Sequence, residues 1–138
     1  MSLQQIKQKL ETYLNDNYPT QAIKWPNTDI ITLNKTVLTQ TQIDNLTDFI
    51  EPSIIPVSSG REYFSTVSGI KYEAFLQILC YTRKGTGTGS LYEMAEEIDG
   101  LFREKTINDV ICDRVDYLPS FELGDWEVLT VSVHSWTY

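Results

Sequence analysis

Apolar residues recur at every second position from Tyr72 to Cys80, which is the spacing of a strand with one buried face. Three glycines within Gly85–Gly89 then interrupt the pattern, because such a segment cannot hold a regular element. Ser90 and Glu93 have the spacing of a helix capping box. From there apolar residues follow one stripe of a helix, namely Leu91, Met94, Ala95, Ile98, Leu101 and Phe102. The stretch predicts a core strand, a glycine turn and a core helix capped by Ser90.

The same patterns predict the other elements of the chain. They are, in order, a helix over Leu3–Asn15 and strands over 22–25, 49–58, 109–117 and 126–134. Residues 28–48 form a long loop or excursion that could hold a short strand and a helical turn. Pro52 and Pro56 each remove a backbone donor, so the strand over 49–58 should lie at a sheet edge or contain a bulge.

The order of these elements predicts the fold class. A helix, several strands, a second helix and two further strands suit an α+β protein. We expect residues 1–138 to form a single domain, because this length is ordinary for one domain. Its sheet should be mainly antiparallel or mixed, with about four to five strands and two helices packed on one face.

Composition and charge narrow the function classes. The chain carries a net charge of −8, which opposes binding to the phosphate backbone of nucleic acids. It contains no apolar run of the ~20 residues that a membrane-spanning helix needs, and its N-terminus lacks the pattern of a signal peptide. Cys80 and Cys112 lack the spacing of a metal or redox site, so we expect them to be reduced and buried. A disulfide between them would require their strands to be neighbours.

The glycine segment raises the question of phosphate binding, because a strand, a glycine loop and a helix start can cradle a phosphate. Ser90 stands where a dinucleotide fingerprint has its last glycine, and Lys84 precedes the glycines instead of following them as in a P-loop. The pattern therefore favours a crossing or an exposed tip between strand and helix. A small phosphate- or nucleotide-binding protein is a remote alternative.

The other chemically capable residues do not form a motif. The acidic residues of the second predicted helix lie on its polar side, which is typical of a solvated face: Glu93, Glu96, Glu97 and Asp99. His134 is the single histidine and has no Ser, Cys or Asp at motif spacing, so we expect an exposed or interface histidine. No catalytic, metal-binding or cofactor-binding residue is predicted, and the protein is not expected to be an enzyme.

The predicted core strand has a second apolar side. Phe75, Leu79 and Tyr81 alternate with the buried set, and Trp136 extends beyond the last regular alternation. An apolar sheet face has to be covered, either by another part of the chain or by a partner. A neighbouring subunit is the favoured interpretation, and coverage by the excursion over 28–48 is the alternative.

Five short motifs follow one another along the chain: Trp25-Pro26-Asn27, the strand segment 75–81, Gly85-Thr86-Gly87, the helix segment 95–102 and Gly124-Asp125-Trp126. In this order they resemble the tail terminator, or tail completion, proteins of long-tailed bacteriophages and their prophages. The resemblance covers most of the chain in its order of elements and includes no catalytic signature.

The resemblance implies a small α+β protein that forms a ring, usually a homohexamer, on the head-proximal end of the tail tube. Its partners would be further copies of itself, the tail tube protein and a head-completion or neck protein, while DNA passes through without specific binding. It would belong to the tail neck of the virion, be assembled in the bacterial host cytoplasm and involve no membrane. Another neck or head–tail connector component is the alternative.

We expect the contacts of such a ring on the second apolar side of the core strand and at the glycine tip. The candidate interface residues are Phe75, Leu79, Tyr81, Arg83, Lys84, Gly85, Gly87 and Trp136. Arg83 and Lys84 belong to this set because they are positive charges beside the tip in an acidic chain.

Overall fold

The computed structural model describes residues 2–57, 60–64, 67–85 and 89–137. Within these ranges the chain forms three helices and ten strands. The helices are α1 (Leu3–Asn17), α2 (Gln40–Asp44) and α3 (Gly89–Phe102). The strands are β1 (Ile23–Lys24), β2 (Ile31–Leu33), β3 (Thr36–Val37), β4 (Asp48–Pro56), β5 (Gly60–Phe64), β6 (Val67–Arg83), β7 (Lys105–Ile107), β8 (Val110–Tyr117), β9 (Phe121–Leu123) and β10 (Trp126–Thr137).

The strands join into one sheet in the order β3-β2-β1-β4-β6-β10-β8-β7, with β5 paired to β6 and β9 paired to β10. The β1–β4 pair is parallel, and the other described pairs are antiparallel. This arrangement confirms the predicted α+β class with a mainly antiparallel sheet. The strand number was wrong, because the sheet has more than the four to five strands expected.

Short hairpins account for part of the difference. The turn between β2 and β3 consists of Asn34 and Lys35, and the turn between β7 and β8 consists of Asn108 and Asp109. All four residues have positive φ, between 47° and 72°. Two-residue turns of this kind match the twist of paired strands and favour Asn at the left-handed positions. Strands of two or three residues beside such turns carry too little alternation to be predicted.

The two long helices begin and end close to the predicted positions. Ser2 and Gln5 form a reciprocal capping box at the start of α1. Helix α3 begins at Gly89, so Ser90 lies within its first turn and the predicted cap at Ser90 was wrong. Five members of the predicted stripe of α3 are buried, whereas Leu101 is only half-buried. None of the helices in the described ranges is long and apolar enough to cross a membrane.

One face of the sheet, here called the first face, packs against α1 and α3. Alternate residues of the later part of β6 lie on it, and all four of Ala74, Leu76, Ile78 and Cys80 are fully buried, which confirms the predicted alternation. Their β10 partners across the sheet include Val131 and Val133. The two helices contribute the other half of this core, through Ile6, Leu10 and Leu14 of α1 and Leu91, Ile98 and Phe102 of α3.

The prolines of β4 lie where this strand has one unpaired edge. Strand β4 pairs with β6 from Asp48 to Pro56, but with β1 only at Ile50. Pro52 and Pro56 therefore lie where β4 is paired on one side only, as the edge prediction required. The excursion over 28–48 adds β2, β3 and α2 beyond β1, and α2 has no buried residue. Its strands extend the sheet, and its end at Asp44 and Leu46 contacts Arg83 at one end of the other face.

The two cysteines lie too far apart for a disulfide. Cys80 is on β6 and Cys112 on β8, and β10 runs between these strands. Two strand spacings amount to about 9.5 Å, beyond the roughly 7 Å limit for a bridged pair. Both thiols are free and buried. Burial raises the pKa of each thiol to about 12, and the charge of Asp113 adds to the effect at Cys112.

Candidate interaction surface

The side of the sheet opposite α1 and α3, here called the second face, collects side chains from its three central strands. The register pairs Phe75 with His134, Leu79 with Thr130 and Tyr81 with Val128, so odd positions of β6 meet even positions of β10. Strand β4 adds alternate residues in the same way: Phe49, Glu51, Ser53 and Ile55. The predicted residues Phe75, Leu79, Tyr81, Arg83 and Trp136 thus share one face.

An aromatic cluster, formed by Phe49, Tyr81 and Trp126, occupies one end of the second face. The rings of Phe49 and Tyr81 are stacked, with centroids 4.3 Å apart and an interplanar angle of 7°. Trp126 meets both rings edge-on, at 5.0 Å from Phe49 and 6.2 Å from Tyr81. These are favourable geometries for aromatic pairs, so the cluster holds its own shape without a partner.

Tyr81 is buried and forms specific contacts within the chain, unlike a residue that only awaits a partner. It is 8% exposed, and its hydroxyl donates to Glu51 Oε1 at 3.1 Å. Glu51 Oε2 lies 2.7 Å from the ammonium of Lys24. Burial, followed by the charge of Glu51, raises the pKa of Tyr81 to about 12. Tyr81 therefore supports the second face through its contacts and contributes little exposed surface to it.

Both cations beside the glycine tip bind within the chain. The Arg83 guanidinium lies 4.0 Å from the centroid of the Trp126 ring and donates to the carbonyls of Leu46 and Asp44. The ammonium of Lys84 lies 3.2 Å from Glu122 Oε2. Gly85 follows in the left-handed region with φ 87°, and it is exposed. Gly87, the remaining predicted tip residue, lies outside the described residues.

A histidine cluster occupies the other end of the second face. His134 Nδ1 lies 2.6 Å from Asp113 Oδ1, and His134 Nε2 lies 3.0 Å from Glu73 Oε2. The indole N–H of Trp136 donates to Asp113 Oδ2 at 3.2 Å, and the Phe75 ring centroid lies 5.3 Å from that of His134. The His134 side chain is only 16% exposed, so of the two expectations for this residue the exposed histidine was wrong, and the interface histidine stays a prediction.

Asp113 is the residue of this cluster that the sequence patterns missed. Strand β8 places Arg114 opposite His134 but Cys112 opposite Ser135, so Asp113 is the extra residue of a β-bulge. The bulge leaves a signal in the sequence, because the buried positions of β8 change from even at Cys112 to odd at Val115. Burial opposes ionisation of Asp113, but the hydrogen bond and charge of His134 outweigh it and lower the pKa of this carboxyl.

The middle of the second face mixes apolar and polar side chains, since the register aligns Ser53, Gln77 and Ser132 in one row, and its rim is apolar. Phe75 and Leu79 are half-buried. Two small residues of β10 on the same face are buried, namely Thr130 and Ser132. At the rim, the register aligns Phe121 with Val128 and Leu123 with Trp126, which places β9 side chains on the same face. The exposed apolar residues of the rim are Ile55, Phe121 and Leu123.

The arrangement suits contact better than chemistry. A neutral histidine needs one free ring nitrogen to act as a general base, whereas both nitrogens of His134 face carboxylate oxygens. In the part of the chain that the structure describes, no group of three His, Cys, Asp or Glu residues could hold a metal ion.

Comparison with protein-family models and with curated protein sequences gives no match. Among solved structures, one chain superposes on this protein with a TM-score of 0.71 at 16% sequence identity. The superposition covers 100% of this chain and 96% of that chain. At this identity the likeness shows the fold alone, and it extends over the full length of the protein.

Proposed function

We propose that this protein is a structural virion assembly protein, a tail terminator that forms a ring on the head-proximal end of a phage tail tube. The observation that carries the proposal is the second face, whose half-buried centre continues into an exposed apolar rim. Ile55 and Phe121 at this rim are exposed, and Leu79 on the central strand is half-buried. A surface of this kind is typical of a site for another protein.

Ring formation requires a contact between two different surfaces of neighbouring subunits, repeated until it closes. The second face supplies one of these surfaces, with Phe75 and Leu79 at its centre and the aromatic cluster at its end. The net charge of −8 suits a ring through which DNA passes without binding. The ring, usually a hexamer in the family that the motifs resemble, would end tube polymerisation and offer a surface to a head-completion or neck protein.

The first experiment determines whether the purified chain forms rings. We expect light scattering and negative-stain electron microscopy to show rings, or a monomer that becomes a ring on the ends of tail tubes of the same phage. Binding to tube ends would separate a tail terminator from another neck or connector component, which would bind on the portal side. A chain that stays monomeric, binds no tube end and does not limit tail length would overturn the proposal.

Matched substitutions locate the contact. Phe75→Asp and Leu79→Asp place a charge in the half-buried centre of the second face, so we expect them to abolish rings while circular dichroism still shows a folded chain. Tyr92→Asp is the control, because Tyr92 is exposed on α3, on the helix-covered side of the sheet. Loss of rings in the Tyr92 variant alone would move the contact to the helices.

A further inference from the structure

The histidine cluster needs more protons than a neutral histidine supplies. Asp113 Oδ1 faces one ring nitrogen of His134 at 2.6 Å, and Glu73 Oε2 faces the other at 3.0 Å. An ionised carboxylate only accepts hydrogen bonds, and a neutral imidazole has a single N–H. Both contacts are hydrogen bonds when the ring carries two protons.

The cluster also links three adjacent strands. Glu73 belongs to β6, His134 to β10 and Asp113 to β8, and these strands follow one another in the sheet. The other oxygen of Asp113 accepts the Trp136 indole N–H, so the carboxylate is held on both sides.

The charged groups around His134 come from the strands on either side of β10. Among the described side chains, β6 contributes Glu73, and β8 contributes Asp113 and Arg114. Arg114 lies opposite His134 in the register but donates to Asp116 Oδ2 at 2.8 Å. Strand β4 places the uncharged Ile55 opposite Phe75. Two carboxylates therefore act directly on the ring.

We propose that His134 is a proton-dependent clamp, which joins β6, β8 and β10 on the second face when its ring is doubly protonated. Loss of one ring proton to solvent leaves a nitrogen lone pair facing a carboxylate oxygen, so that side of the clamp opens. The cluster then carries one positive charge fewer. This clamp is a property of the single chain and goes beyond the proposed function.

The effect on assembly rests on the proposed function. The opened clamp adds negative charge to the second face of a chain whose net charge is already −8. Repulsion between copies then increases, because like charges at a contact oppose association. Self-association through this face should weaken when the His134 ring loses its second proton.

The clamp itself is tested by NMR on the isolated chain, which contains a single histidine and three tryptophans. Long-range proton–nitrogen spectra report the protonation of the imidazole, and Trp136→Phe assigns the Trp136 indole signal. We expect the imidazole and the Trp136 indole N–H to change together during a pH titration. An imidazole that loses its proton while the Trp136 signal stays constant would overturn the clamp.

Variants of the two carboxylates provide the comparison. We expect Asp113→Asn to separate the protonation of the imidazole from the Trp136 signal, and Glu73→Gln to move the pH at which the two change to a lower value, because a negative charge beside the protonated ring is lost. Asp116→Asn is the matched control, because Asp116 is a nearby strand carboxylate that pairs with Arg114. Variants of Asp113 and Glu73 that titrate like this control would contradict the proposal.

Sedimentation at about pH 5 and at about pH 8, which bracket the range in which histidines change charge, separates the clamp from the ring. A chain that is monomeric at every pH and binds no tube end, but retains the coupled NMR response, supports the clamp and contradicts the ring. Rings with the same pH dependence in the Asp113→Asn variant support the ring and contradict a role of the clamp in assembly.

Discussion

The two faces of β6 differ in what buries their side chains. On the first face, Leu76 and Ile78 are fully buried beneath α1 and α3. On the second face, Phe75 and Leu79 are half-buried, and the Phe75 ring lies 5.3 Å from that of His134. Alternation along one strand therefore separates residues that fold the chain from residues that remain available to a partner.

The first and second faces of the sheet also differ in their polar groups. The first face buries apolar residues and a few hydroxyls such as Ser135 and Thr137, whereas carboxylates on the second face have specific partners. Glu51 binds Tyr81 and Lys24, and Asp113 binds His134 and Trp136. Satisfied polar networks fix side-chain positions. The second face thus has a defined shape before any partner binds, which lowers the entropic cost of association.

The largest expected effect compares the same truncation on the two faces. Leu76→Ala should lower the free energy of unfolding by about 2–5 kcal/mol, because it opens a cavity in a fully buried site. Leu79→Ala should cost only about 1 kcal/mol, because Leu79 is half-buried. Urea denaturation of both variants measures the difference. Equal losses would mean that the second face belongs to the folding core.

The elements with long repeats could be predicted from the sequence. The stripe of α1, the stripe of α3 and the alternation of β6 each repeat at least three times, and burial of one side is the physical cause of the repeat. The division of β6 into two apolar sides was predictable for the same reason. Leu101 was misplaced because it lies at the margin of its stripe, where the sequence does not distinguish half-burial from burial.

Contacts between residues that are far apart in the sequence could not be predicted. His134 lies 21 residues from Asp113 and 61 residues from Glu73, and only the register of β6, β8 and β10 brings them together. That register depends on a bulge, whose sequence signal is one change of parity in β8. The partners of Arg83 are backbone carbonyls of Leu46 and Asp44, and backbone acceptors carry no side-chain signal.

A smaller effect tests how far the second face is organised within the monomer. Tyr81→Phe removes the hydroxyl that donates to Glu51, so we expect a loss of about 0.5–1.5 kcal/mol in the free energy of unfolding. Tyr92→Phe is the control, because Tyr92 is an exposed tyrosine of α3, and it should change stability by less than about 0.5 kcal/mol. Denaturant unfolding of the two variants measures these free energies. Identical stabilities would show that the polar network of the second face contributes nothing to folding.

The smallest expected effect concerns an ion pair at the edge of the helix layer. Asp99 of α3 accepts from Arg103 one turn later and from the hydroxyl of Tyr117. The hydrogen bond from Arg103 is the main cause that lowers the pKa of Asp99; burial opposes it, and the Tyr117 hydroxyl and the Arg103 charge add to it. Because Arg103 is about half exposed, solvent screens the pair, and Asp99→Asn should cost less than Tyr81→Phe.

The pH dependence of this pair distinguishes it from the histidine clamp. A carboxyl whose pKa is lowered by folding contributes stability above its unfolded value of about 3.9, and the contribution disappears as the pH falls through the lower folded value. The stability gap between the wild type and Asp99→Asn should therefore be present at about pH 7 and closed at about pH 2. Glu96→Gln, at an exposed acidic position of the same helix, is the control for a general charge effect. A gap that is equally wide at both pH values would show that the substitution disturbs the packing of α3 on Tyr117, and that the helix side of the sheet gains nothing from the charge of Asp99.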